Sequence, residues 1–145
     1  MSTQNAKSTL KVLGILSIIL AIFGIILGIG FLAGGDVFTK SLIKSGKASD
    51  EAFAMSGIMY ALGAFVVIES IVDLLLGIFS VRASGDFSKA KPAYTLSIIA
   101  IILTIITGIV SFASGSTARS IIDLIVSLVF GVCIMLAAKT AKDNA

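Results

Sequence analysis

Four long apolar stretches, separated by short polar joints, dominate this sequence. They cover about residues 11–33, 52–81, 93–113 and 118–138. Each is long enough to cross a hydrocarbon core as a helix, which takes roughly 20 apolar residues. Helices are the expected structure because every backbone polar group must find its partner within the segment when no water is present. The sequence therefore predicts an all-α membrane protein with one four-helix transmembrane domain spanning residues 1–145.

The amino-acid composition also indicates that the chain lies in a lipid bilayer. The chain is 57% hydrophobic and 13% charged, whereas soluble domains contain roughly 45 to 50% apolar and about 25% charged residues. The first apolar stretch also exceeds the roughly 7 to 15 residues of a signal-peptide core, and we expect it to stay as an uncleaved helix.

Glycines and polar residues predict where the first helix ends. Gly34 and Gly35 are expected to stop it. Residues 36–49 then predict either a short amphipathic helix, capped by Asp36 and stopped by Gly46, or a flexible loop.

The later boundaries follow from similar signals. The second stretch, 52–81, would be about 45 Å long as a helix, so we expect it to protrude, tilt, or bend near Gly57 or Gly63. Pro92 suits the first turn of the third helix. Residues 114–116 predict a tight turn, and residues 139–145 a frayed tail.

The distribution of Lys and Arg predicts the orientation. Seven of the 11 cations lie in the amino end, the second joint and the tail, namely Lys7, Lys11, Arg82, Lys89, Lys91, Lys139 and Lys142. The positive-inside bias then places both termini in the cytoplasm of a multi-pass plasma (cytoplasmic) membrane protein.

Small residues recur along the first and third stretches with heptad-like spacing. The two series superpose at a constant offset of 83 residues: Gly14, Ser17, Ala21, Gly24 and Gly28 against Ser97, Ala100, Thr104, Thr107 and Ser111. A related pair of segments occupies the second and fourth stretches, Glu69 to Leu75 (ESIVDLL) and Arg119 to Ile125 (RSIIDLI). These matches predict an internal repeat of two tandem helical hairpins forming a left-handed four-helix bundle with crossings near 20°.

The small residues define a predicted packing seam on each helix. The second helix contributes Gly63, Ser70, Asp73, Gly77, Ser80 and Ser84, and the fourth contributes Ser120, Asp123, Ser127 and Gly131. Helices in lipid associate by close packing at small residues and by interhelical hydrogen bonds, so these seams are expected to face one another.

Three intramembrane carboxylates form the candidate site. Acidic side chains at membrane depth cost roughly 2.5 to 3.5 kcal/mol each, so Glu69, Asp73 and Asp123 are expected to point into the bundle. Glu69 and Asp73 are one helical turn apart. Carboxylates this close in a low dielectric cannot all stay ionised, and one is expected to keep its proton.

Two roles fit these acids, and both stay open. With Ser70 and Ser120 they suit a proton relay or a site for a small hard cation. Alternatively they hold helices together through protonated carboxyls or an ion pair with Arg119, which replaces Glu69 in the second copy. A Glu69 to Arg119 pair is the specific hypothesis that this exchange suggests.

Enzyme chemistry and cofactors find no support in the sequence. Histidine is absent, and the single cysteine, Cys133, lies within an apolar stretch, so a CxxC pair is impossible. Without the usual nucleophile, metal or phosphate motifs, we predict no enzyme, no cofactor and no metal. No basic patch with interleaved aromatic residues indicates nucleic acid, and the expected partners are the lipid bilayer, a homodimer or another membrane protein.

The segment from Gly77 to Ala90, GIFSVRASGDFSKA, precedes an Ile-rich helix. It resembles the central region of uncharacterised small four-span membrane proteins of Gram-positive bacteria. The resemblance implies a bacterial membrane protein and brings no assigned activity. We therefore expect an interaction or accessory protein acting through helix assembly, with a small proton- or cation-linked transporter or channel as the alternative.

Overall fold

The part of the chain that the structure describes forms four α-helices. The computed structural model describes residues 1–46, 49–113 and 118–145, and their side chains except those of Ser49, Ser111 and residues 118–120. The helices are α1 (Thr3–Lys44), α2 (Ser49–Gly85), α3 (Ala90–Ala113) and α4 (Ala118–Asp143), with a short 3-10 helix at Phe87–Lys89. Helix accounts for 95% of the structure, and the described ranges contain no strand. All four helices are long and apolar enough to cross a membrane, so the predicted all-helical polytopic protein is confirmed.

Helix α1 is longer than predicted. It continues through Gly34 and Gly35, so the prediction that these glycines end the helix is wrong. Gly35 is instead buried under the ring of Tyr60, where an added Cβ would lie 2.9 Å from Cζ. The glycine therefore allows close packing. This packing offsets the cost of glycine in a helix, which is about 1 kcal/mol relative to alanine.

Residues 36–44, expected as a separate amphipathic helix or a loop, are the last turns of α1. Gly46, two residues after this helix, has a φ of +87° and marks its end as predicted. At 42 residues α1 is about 63 Å long, roughly twice the thickness of a hydrocarbon core.

Helices α2 and α4 also exceed their predicted bounds. Helix α2 is unbroken through Gly57 and Gly63 over 37 residues. Helix α4 runs to Asp143, so the tail predicted to be frayed is largely helical. Its last turns are fixed by packing, because Ala138 and Ala141 are completely buried.

The joint between α2 and α3 is short and capped. Asp86 accepts hydrogen bonds from the Ser88 backbone N–H (3.0 Å) and hydroxyl (2.7 Å), which begins the 3-10 helix. Pro92 lies in the first turn of α3 as predicted. The turn predicted at residues 114–116 lies outside the described residues.

The chain forms two compact units. The first, here called the four-helix unit, contains residues 1–19 and 72–145, and the second, the two-helix unit, contains residues 20–71. The four-helix unit packs around a buried cluster rich in alanine, made of Ala6, Leu10, Leu76, Ala83, Ala90, Ala93, Ala100, Ile134, Ala137, Ala138 and Ala141. Small side chains at these positions let the helices approach closely.

Glycines also set the contacts between paired helices. In the four-helix unit Gly108 of α3 receives Leu124 of α4, and Gly131 of α4 receives Ile101 of α3. In the two-helix unit the α1 glycine Gly28 lies against Gly63 and Val67 of α2.

Candidate functional site

Ser17 and Asp73 join α1 to α2 in the four-helix unit. The buried Ser17 hydroxyl donates a 2.8 Å hydrogen bond to the backbone carbonyl of Asp73. Beside this bond Gly14 and Gly77 bring the two backbones together, since a Cβ added at Gly77 would lie 2.7 Å from the Gly14 carbonyl oxygen. The Asp73 side chain is half-buried. The predicted seam residues of α1 and α2 thus make a close interhelical contact in this unit.

We expect Ser17→Ala to lower the free energy of unfolding by about 0.6 kcal/mol, the average for an interhelical hydrogen bond in a membrane protein. The matched control is Ser84→Ala, because the Ser84 hydroxyl bonds to Val81 within its own helix. Equilibrium unfolding in mixed micelles measures both. Equal losses in the two variants would contradict a specific role for the Ser17 bond.

Ser80 is completely buried, and its hydroxyl has no hydrogen-bond partner among the described residues. Its Cβ would lie 3.0 Å from a Cβ added at Gly14. This distance leaves no room for an ion between Gly14 and Ser80. Ser80 is therefore a small packing residue of the seam.

Ser70 and Glu69 lie in the two-helix unit. Ser70 is buried against Gly24, and a Cβ added at Gly24 would overlap the Ser70 hydroxyl oxygen. Glu69, the preceding residue, is half-buried and has no hydrogen bond or ion pair with any residue the structure describes. Ser70 thus forms a contact between the two helices of this unit.

Two predicted site residues on α4 fall outside the described side chains. The side chains of Arg119 and Ser120 are among those not described, so the Glu69 to Arg119 ion pair stays a prediction. Glu69 and Asp73 belong to different compact units.

The prediction that Asp123 and Ser127 point into the bundle is wrong. Both side chains are exposed on the surface of α4. The physical reason is that Leu124 fills the space above Gly108, which fixes the rotation of α4 and turns Asp123 outward. Gly131, the next seam residue, is buried as predicted. Within the described part of the chain, Asp123 has no hydrogen bond or ion pair.

The polar residues of α3 also differ from expectation. Thr104 and Thr107 donate to the carbonyls of Ala100 and Leu103 in their own helix, rather than across an interface. The close approach to α4 comes from Gly108 instead, one position beyond the predicted seam residue.

Sequence reasoning missed several contacts between distant residues. Tyr60 donates a 2.5 Å hydrogen bond to Asp36 in the two-helix unit. In the four-helix unit the ammonium groups of Lys7 and Lys142 lie over the rings of Phe87 and Tyr94. No local pattern indicates such pairs, because their partners are far apart in the sequence.

Among the described residues outside the spans, Asp86 has a shifted pKa. The hydrogen bonds from the Ser88 hydroxyl and backbone N–H lower the pKa of this carboxyl, and the neighbouring Lys89 adds to the effect. Asp86 therefore stays ionised in its capping role.

Within the described ranges no three His, Cys, Asp or Glu residues are grouped so that they could hold a metal ion. Comparison with protein-family models, with curated proteins and with solved structures finds no match for this chain.

Proposed function

We propose that this protein is an interaction subunit of a bacterial plasma membrane, with both termini in the cytoplasm and its helices paired as two tandem left-handed hairpins. It acts by assembling with a further transmembrane helix. The observation that carries the proposal is the outward position of Asp123 and Ser127 on α4. These two residues define the α4 polar face.

The α4 polar face lies within an apolar surface. Asp123 lies in the candidate span Ile121–Asp143, and its neighbours Ile122 and Val126 are each 61% exposed. A carboxyl group in a transmembrane segment normally faces protein or water, because lipid contact is costly. A second helix that covers this face and offers a hydrogen bond would remove that cost.

A second copy of the chain supplies the required groups. In a symmetric dimer the same surface is used twice, so the carboxyl of one copy can meet the hydroxyl of the other. Asp123 and Ser127 are one helical turn apart, so the carboxyl and the hydroxyl lie on the same face of each α4 helix. Each hydrogen bond between the copies contributes about 0.6 to 1.7 kcal/mol in a membrane.

The test is dimerisation in liposomes, measured by single-molecule photobleaching at increasing protein density. We expect Asp123→Leu to raise the dimer dissociation constant at least about ten-fold, since two reciprocal bonds are lost. Val129→Leu, another exposed position on α4, is the control and should dimerise like the wild type. A wild type that stays monomeric, or an Asp123→Leu variant that dimerises normally, would contradict the proposal.

The alternative is a proton- or cation-linked transporter that uses Glu69, Asp73 and Asp123. The half-buried positions of Glu69 and Asp73 favour it, whereas the backbone contact of Gly14 and Gly77 beside Asp73 disfavours a water path there. Flux of protons or monovalent cations into liposomes separates the two functions. Flux that disappears in a folded Asp73→Asn variant would support transport.

A further inference from the structure

One end of the four-helix unit gathers most of the positive charge of the chain. The starts of α1 and α3 and the ends of α2 and α4 meet there, because Ala6, Ala83, Ala93 and Ala141 belong to one buried cluster. Seven of the 11 Lys and Arg residues flank this cluster in the sequence, together with two acidic residues, Asp86 and Asp143. We call this surface the cationic end.

Aromatic rings hold three of these cations at the cationic end. The charged groups of Lys7, Lys142 and Arg82 lie 5.4, 5.0 and 5.9 Å from the ring centroids of Phe87, Tyr94 and Phe79. All three rings pack against the same alanine-rich cluster. Three aromatic residues packed against one buried cluster thus position three cations.

This arrangement keeps the charges available. A ring attracts a cation through its quadrupole and carries no net charge, so the N–H donors remain free for an anion. The ion pair that the described side chains form at this end joins Lys89 to Asp86 at 3.6 Å. Lys7, Lys142 and Arg82 are all exposed.

We propose that the cationic end binds the phosphate groups of anionic phospholipids. Charge complementarity favours a phosphate, and the neighbouring surface favours a lipid over a free ion. Val12 on α1 is 54% exposed and follows Lys7 by one to two helical turns. Leu136 on α4 is 46% exposed and precedes Lys142 by a similar distance. Acyl chains can lie against these side chains while the headgroup meets the cations, as at other basic sites next to transmembrane helices.

The experiment measures lipid selectivity in phosphatidylcholine liposomes. Electron paramagnetic resonance of spin-labelled phosphatidylglycerol and phosphatidylcholine gives the association constant of each lipid with the full-length protein. We expect the wild type to prefer phosphatidylglycerol and the combined variant Lys7→Gln with Lys142→Gln to lose roughly 25-fold of that preference, about five-fold for each of the two membrane-proximal cations. Phe87→Leu, which keeps every charge, should also lower the preference. Circular dichroism verifies that each variant remains helical.

The matched control removes two lysines elsewhere. Lys40→Gln with Lys44→Gln lies at the end of α1 in the two-helix unit and should leave the preference unchanged. An equal loss in this control, no preference in the wild type, or an unchanged preference in Phe87→Leu would overturn the proposal. Displacement of phosphatidylglycerol by sodium phosphate beyond the effect of sodium chloride at equal ionic strength would show a free-phosphate site and would also overturn it.

Discussion

Gly77→Ala is expected to lower the free energy of unfolding by about 1 to 3 kcal/mol, the usual cost of overpacking. The new Cβ would lie 2.7 Å from the Gly14 carbonyl oxygen and 3.0 Å from the Ile18 backbone nitrogen. Backbone atoms cannot move aside as a flexible side chain can, so α1 and α2 must separate. This separation would also lengthen the neighbouring hydrogen bond from Ser17 to Asp73.

Gly57→Ala, in the same helix, provides the matched control. No atom lies within 4 Å of a Cβ added at Gly57, and alanine improves helix propensity there by about 0.5 to 1 kcal/mol. The two substitutions are chemically identical and should therefore have opposite signs. Unfolding in mixed micelles, followed by circular dichroism, measures both. A Gly77→Ala variant as stable as Gly57→Ala would contradict the contact between Gly14 and Gly77.

The sequence predicts the helices of this protein well because lipid leaves the backbone few options. Stretch length and apolar content fix four helices, and Gly46 ends α1 as expected from its conformational freedom. The failure at Gly34 and Gly35 has a physical reason. A glycine can either end a helix or allow close packing within it. At Gly35 the helix continues because the ring of Tyr60 packs against the glycine. That ring is distant in sequence, so no local pattern contains the answer.

At the candidate site, the spacing of small residues in the sequence predicts the buried face of some helices but not of all. On α1 and α2 the small residues lie on the buried face as predicted, and Ser17 makes an interhelical bond. On α4 the same reasoning wrongly predicts that Asp123 is buried. This helix has small residues on one side and leucines on the adjacent side, and either side could pack against another helix. The fit of Leu124 to Gly108 selects the second face. The rotation of a helix by about one residue therefore depends on the shape of the helix that packs against it. The sequence pattern of one helix does not contain that information.

An exchange of Gly24 and Ser70 is the second substitution with a large expected effect, and it tests whether Ser70 is a packing residue. Gly24→Ser alone should cost about 1 to 3 kcal/mol, because its Cβ would overlap the buried Ser70 hydroxyl. Ser70→Gly alone should cost about 1 kcal/mol through lost contacts and lower helix propensity. The double variant moves the hydroxymethyl group to the opposite helix and should return to within about 0.5 kcal/mol of the wild type. Such coupling is typical of residues in direct contact, and strictly additive losses in micelle unfolding would instead indicate that Ser70 acts independently of Gly24.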